Sequence, residues 1–162
     1  MDTSTTRRGA VFGIAASAAS LALPSICRAQ VSARVTVIGG GFAGAACARA
    51  LKRTDPKLQV TLVEPNRIYT ACPFSNEVIA GLRGIEAQQF TYDPIAVNGV
   101  SIVVAEATRV YPAVRRVKFA DGGTLDYDRL VLAPGIDLRF DALEGYDEAA
   151  STRMPHAWKA GA

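Results

Sequence analysis

The chain has few of the residues from which metal centres and dithiol sites are built. Its 162 residues hold three cysteines, one tryptophan and a single histidine, His156. No C-x-x-C pair occurs, so the sequence shows neither a zinc-ligand spacing nor a thioredoxin-type dithiol, and no metal site is expected. Long apolar runs are missing as well. The longest, Ala10 to Leu23, has about fourteen residues, short of the roughly 20 that cross a bilayer. A membrane span is therefore not expected. Internal repeats and low-complexity linkers are also lacking. With 49% apolar and 20% charged residues, the composition is that of one folded domain rather than a disordered chain.

The first thirty residues differ from the rest. Arg7-Arg8 precede the apolar stretch, then come Pro24 and Cys27-Arg28-Ala29, a small-x-small cleavage pattern. Residues 1–29 read as a cleavable export signal with Gln30 as the first mature residue. Thr6 before the paired arginines, the mild Ala/Ser/Gly-rich apolar region and Arg28 near the cleavage point suggest the twin-arginine route, which carries folded proteins. Ala10-Val11 stand where a more apolar pair is usual. The expected location is the periplasm. Removing Arg7, Arg8, Arg28 and Asp2 from 18 Lys+Arg and 15 Asp+Glu leaves 15 against 14, a net charge of +1. The basicity of the whole chain thus belongs largely to the signal, and no basic stripe argues for nucleic acid. Cys27 leaves with the signal. Cys47 and Cys72 remain, able in principle to pair, although Cys47 reads as a buried packing residue on a helix.

What the mature sequence does have is a glycine loop in the right setting. Gly39, Gly41 and Gly44 stand at G-x-G-x-x-G spacing, after the β-branched run Val35 to Ile38 and before the Ala-rich run Ala45 to Leu51. This is the strand–turn–helix context of a dinucleotide-binding fold. The first glycine allows the tight turn, the second lets a pyrophosphate approach the backbone, and the third lets helix and strand pack closely. Helix amides then face the phosphates. Val60 to Val63 form a second strand that ends in Glu64, about twenty residues on, where a carboxylate accepts the hydroxyls of an adenosine ribose. The same charge would repel a 2′-phosphate, which disfavours NADP. A glycine-rich turn without a ligand is the competing reading.

Further along, a polar, Pro-punctuated segment spans Pro65 to Pro73, and a short helix is expected from Ser75 to about Leu82. Val100 to Ala105 is a short apolar run suited to a buried parallel strand. Arg109 to Tyr111, Arg116 to Phe119 and Thr124 to Tyr127, with an Asp121-Gly122-Gly123 turn, predict an antiparallel meander. Leu130 to Ala133 then reads as a buried strand running into a Pro134-Gly135 turn. The layout is an α/β, Rossmann-like domain over residues 30–162, a parallel sheet with helices plus a small antiparallel meander where a crossover helix would otherwise lie.

Several stretches in order carry a family resemblance: Ile68-Tyr-Thr-Ala-Cys-Pro-Phe-Ser-Asn-Glu-Val-Ile-Ala-Gly81, Tyr127 to Gly135 with Ile136, Glu144-Gly-Tyr146 and Pro155 to Gly161. From about Arg34 to Gly161 the chain resembles the flavoprotein subunit of flavocytochrome c sulfide dehydrogenase, within the wider FAD-dependent pyridine nucleotide-disulfide oxidoreductases. The resemblance implies FAD as cofactor, sulfide as substrate and a cytochrome c subunit as partner. It also implies that Cys72 is bonded to the flavin 8α-methyl, and that Pro134 and Gly135 lead the chain back to the cofactor. Ala71 and Pro73 depart from the family pattern beside that cysteine. By the same resemblance, the redox disulfide that takes the substrate and a final strand are absent from these 162 residues, so the domain is expected to be incomplete at its C-terminus and the chain alone inactive on sulfide. No catalytic acid or base can be named; His156, Trp158 and Lys159 read as packing and surface charge. A sulfide:quinone oxidoreductase-like flavoprotein and a non-catalytic dinucleotide-binding remnant are the alternative readings.

Overall fold

The computed structural model describes residues 32–154 and Trp158. The chain enters through strand β1 (Arg34–Ile38), helix α1 (Phe42–Thr54) and strand β2 (Gln59–Glu64). A two-stranded antiparallel pair, β3 (Ile68–Thr70) with β4 (Gln89–Thr91), encloses the short helix α2 (Ser75–Ile79). Helix α3 (Asp93–Ala96) leads to β5 (Ser101–Val104). The meander β6 (Ala107–Tyr111), β7 (Arg116–Phe119) and β8 (Thr124–Asp126) follows, then β9 (Arg129–Leu132) and helix α4 (Glu148–Ser151).

Four strands make one parallel sheet in the order β5-β2-β1-β9. Period-2 alternation divides their side chains between two cores. On one face Val37, Val60, Leu62 and Ile102 pack against Ala48 of α1 and against Tyr92 and Ile95. On the other, Ile38, Val63, Val103 and Leu130 pack against Val117, Phe119 and Tyr127 of the meander. Both faces are covered, which is why these strands are near-continuously apolar. The meander therefore occupies the layer that a crossover helix fills in a simpler dinucleotide fold. Its tight turn is made as the sequence suggests: Gly122 has φ +89° and Asp121 Oδ1 accepts the Gly123 amide at 2.8 Å.

Three expectations need correction. The polar segment 65–73 is not all loop, because Ile68–Thr70 pairs with Gln89–Thr91, a partner distant in sequence and too short to show alternation. The helix starting at Ser75 ends at Ile79 rather than near Leu82, since the Leu82 amide turns back to the Glu77 carbonyl at 2.8 Å and Gly81 takes φ +71°. Cys47 is half-buried, not buried. The inward row of α1 is Gly44 and Ala48, four apart, and Cys47 sits about 100° round the helix from Ala48. Cys47 and Cys72 are both free thiols. Among the described residues no helix is long and apolar enough to cross a membrane, and no His/Cys/Asp/Glu group could hold a metal ion. The expected export signal, His156 and Lys159 lie outside the described residues.

Candidate functional site: a dinucleotide cradle

The carboxyl ends of β1, β2 and β9 meet the start of α1 around a cavity of about 820 Å³. Gly39 and Gly41, Glu64, Cys72, and Pro134 with Gly135 all line it, so six of the seven residues expected from sequence share one site. Gly44, the seventh, stands behind the loop as a packing residue. A side chain there would overlap the Gly39 carbonyl oxygen, and one at Gly39, where φ is +99°, would overlap the Ala133 carbonyl. These two glycines are required by the protein itself. Gly41 is different: the nearest atom to a Cβ there is Tyr69 Cε2 at 3.7 Å, and its φ of −68° suits any residue. Nothing in the polypeptide explains the missing side chain at Gly41, whereas an anion approaching the backbone would.

The start of α1 has the chemistry to receive such an anion. Gly41 caps the helix without a side-chain hydrogen bond, so the first amides have no partner from a capping residue. Their positive end faces the cavity. Phe42 and Tyr69 meet edge to face at 5.6 Å in the cavity wall. Burial raises the pKa of Tyr69, Cys72 raises it further, and the Phe42 amide beside its hydroxyl works the other way.

Glu64 ends β2 beside the loop because β1 and β2 are in parallel register, with Ile38 opposite Val63. Its Oε2 accepts the Gly40 amide at 2.8 Å, and its Oε1 accepts the Asn66 amide and Nδ2, each at 3.1 Å. The carboxylate is thus held in place while part of its accepting capacity faces the cavity. Across the loop, the Gly39 amide donates to the Val63 carbonyl at 2.9 Å and the Ala133 amide to Ile38 at 2.8 Å. Strands β1, β2 and β9 therefore fix the geometry of the cradle from both sides.

Cys72 sits on a platform that sequence reasoning missed. Ser75, 1% exposed, donates its hydroxyl to the Cys72 carbonyl at 2.7 Å. Gln88, 2% exposed, points its side-chain amide at the carbonyls of Pro73 and Ala71, and assigning the nitrogen to the near side lets it donate to both, at 2.6 and 2.7 Å. The Ala71 amide in turn donates to the Gln88 carbonyl at 2.9 Å. Three consecutive carbonyls around the thiol are thus tied by two buried polar side chains. Phe74 next to them adopts φ +68°, a left-handed conformation uncommon outside glycine, under the Arg83 guanidinium 4.7 Å from its ring. A buried Gln sixteen residues from Cys72 carries no local sequence signal. Tyr69, which also lines the cavity, was likewise not singled out; Trp158, expected as a packing residue, instead lines the cavity half exposed.

A parallel sheet with a glycine loop, an uncapped helix start and a carboxylate at the end of the second strand defines a Rossmann-like domain of the FAD-dependent oxidoreductases. The residues present fit FAD: Gly41 leaves room for the pyrophosphate and Glu64 keeps accepting capacity for the ribose. A family model for pyridine nucleotide-disulphide oxidoreductases matches residues 33–157, and the chain belongs to that family. The flavoprotein chain of flavocytochrome c sulfide dehydrogenase from Chlorobaculum thiosulfatiphilum is 56% identical over 45 residues, 28% of this chain and 94% of that sequence. The sulfide-quinone reductase of Aquifex aeolicus (strain VF5) is 29% identical over 119 residues, 73% of this chain and 27% of that protein. The crystal structure of the sulfide:quinone oxidoreductase from Aquifex aeolicus superposes with a TM-score of 0.64 at 28% identity, covering 67% of this chain and 26% of that one. The chain thus spans only about a quarter of the length of these quinone reductases.

Proposed function

We propose that this chain is the FAD-binding part of an exported flavoprotein that oxidises sulfide and passes the electrons to a cytochrome c. The observation that carries the reading is Cys72, a free thiol in the wall of the dinucleotide cavity, held by buried Ser75 and Gln88, in a chain 56% identical over 45 residues to a flavocytochrome c sulfide dehydrogenase flavoprotein. FAD, when bound, supplies two-electron exchange with the substrate and delivery of electrons to an acceptor. The chain's own residues bind and orient it. Glu64 takes the ribose, the amides from Gly41 onward take the pyrophosphate, and Pro134-Gly135 close the wall beyond β9.

Cys72 anchors the ring in this reading. Its Sγ would form a carbon–sulfur bond to the 8α-methyl carbon with loss of one S–H and one C–H, a two-electron oxidation for which bound FAD would be the immediate acceptor and dioxygen the terminal one. Residues 1–29 are the export signal, supported by Arg7-Arg8 and the Cys27-Arg28-Ala29 pattern, and the twin-arginine route to the periplasm suits a protein that must hold its cofactor before crossing.

A quinone as acceptor is the second reading, favoured by the similarity over 119 residues to a sulfide-quinone reductase. The test uses the complete flavoprotein of which this chain is the FAD-binding part, loaded with flavin and kept without oxygen. Sulfide should bleach the flavin absorbance, and oxidised cytochrome c should restore it faster than a soluble quinone does. Restoration by quinone alone moves the assignment to the second reading. If sulfide leaves the flavin oxidised, both readings fail and a dinucleotide-binding domain without this activity remains.

A further inference from the structure

Among the described residues, the Tyr92 hydroxyl is the one buried side-chain oxygen with no hydrogen-bond partner. Tyr92 is 6% exposed, and its ring fills the space under the glycine loop: a Cβ on Gly40 would overlap the hydroxyl and the ring edge. A phenol hydroxyl taken out of water without a partner is destabilising, so such an atom marks a place where a water or ligand is held. The setting says what that partner would serve. Gly40, which the phenol touches, is also the residue whose amide holds Glu64 Oε2 at 2.8 Å. Phenol and carboxylate thus meet the same glycine. Burial, then the nearby Glu64 charge, raise the Tyr92 pKa, so at neutral pH this group is a donor.

We propose that Tyr92 is a positioning residue for the adenosine ribose of the cofactor, its hydroxyl holding one buried water that donates to Glu64 Oε2. The inference rests on the FAD reading of the cradle and deepens it. With the Gly40 amide and this water, Oε2 has both its lone pairs engaged. Oε1 is then the oxygen that takes the ribose, in place of its 3.1 Å contacts to Asn66, which are exposed to solvent. Tyr92 would also explain why a glycine stands at position 40, which the G-x-G-x-x-G spacing leaves free.

The experiment is a double-mutant cycle on the whole chain with Tyr92→Phe, Glu64→Gln and the pair. Affinity is measured for FAD, for ADP-ribose, and for riboflavin as a control without ribose-phosphate-adenine. Unfolding of the cofactor-free proteins is followed in parallel. Tyr92→Phe should weaken FAD and ADP-ribose alike by about fivefold, the worth of one neutral hydrogen bond. Riboflavin should be unaffected, and no further loss should appear in the Glu64→Gln background. Unchanged FAD affinity in Tyr92→Phe, or a loss that adds fully to that of Glu64→Gln, overturns the role of the tyrosine while leaving the cradle assigned. A wild-type chain that binds neither FAD nor ADP-ribose overturns the cofactor reading and this inference with it.

Discussion

The carboxylate of Glu64 and the amide of Gly40 are joined by a 2.8 Å hydrogen bond across 24 positions of sequence. The acid that ends β2 is thereby tied to the loop that follows β1. The proposed ribose site and the proposed pyrophosphate site form one unit because two parallel strands in register end side by side. Glu64→Ala cuts this tie and leaves the ribose hydroxyls and the Gly40 amide without an acceptor. We expect a loss of about 1–3 kcal/mol in FAD binding, read by titration of flavin fluorescence. Retention of FAD at wild-type affinity would remove Glu64 from the site.

The two glycine types should separate in experiment. Gly41→Ala meets no protein atom closer than 3.7 Å and has an ordinary φ, so it should fold with wild-type stability. Its methyl group would occupy the approach to the helix amides, and FAD affinity should fall by roughly 1.5–3 kcal/mol as charge-assisted bonds are lost. Gly44→Ala forces a methyl group onto the Gly39 carbonyl and should cost about 1–3 kcal/mol of folding stability. Comparing denaturation midpoints with FAD affinity for both variants decides the point. Equal destabilisation by the two would mean that Gly41 is a packing residue.

Cys72 should retain flavin through acid precipitation of the holo-protein, with yellow, fluorescent material on the polypeptide, and Cys72→Ser should release it. All flavin in the supernatant with Cys72 intact would leave this thiol a mere neighbour of the ring.

Gln88→Leu keeps the volume and removes the donor shared by the carbonyls of Ala71 and Pro73. The two buried acceptors are then unpaired, a cost of about 1–3 kcal/mol in stability. Alkylation of the Cys72 thiol in the cofactor-free protein should change in rate, since its platform is loosened. A variant with unaltered stability and alkylation would show that the carbonyls find water instead.

Acid should weaken the join between the meander and the sheet. Arg34 binds Asp128 through its side chain at 3.0 Å and its backbone amide at 2.7 Å. These bonds lower the Asp128 pKa to about 2 from an ordinary 3.8, the Arg34 side-chain bond first. A depressed carboxylate stabilises the fold above its unfolded pKa, and that contribution is lost as pH falls from about 4 towards 2. Arg116 lowers Asp126 in the same direction. Both carboxylates stand near solvent, so the effect should shrink with salt. Asp128→Asn should flatten the acid limb of a stability-against-pH curve; an unchanged limb would place the acid sensitivity elsewhere.

Sequence alone determined the opening of the fold and the polar ends of the site. Local periodicity is enough for Val35 to Ile38, for the Ala-rich α1 and for the meander, because each is set by near neighbours in the chain. That Gly39, Gly41 and Glu64 would share one cavity was legible because all three lie on one βαβ unit, at the ends of its two strands. Tertiary structure decided the rest. That β9 lies beside β1, which brings Ala133 against Gly39 and Pro134-Gly135 into the wall, depends on a pairing across some ninety residues. The β3–β4 pair, the buried Gln88 under Cys72 and the Tyr92 phenol under Gly40 are contacts between segments with no periodic signature. A buried polar group is chosen by the carbonyl or amide that happens to face it, and only the folded chain specifies which one that is.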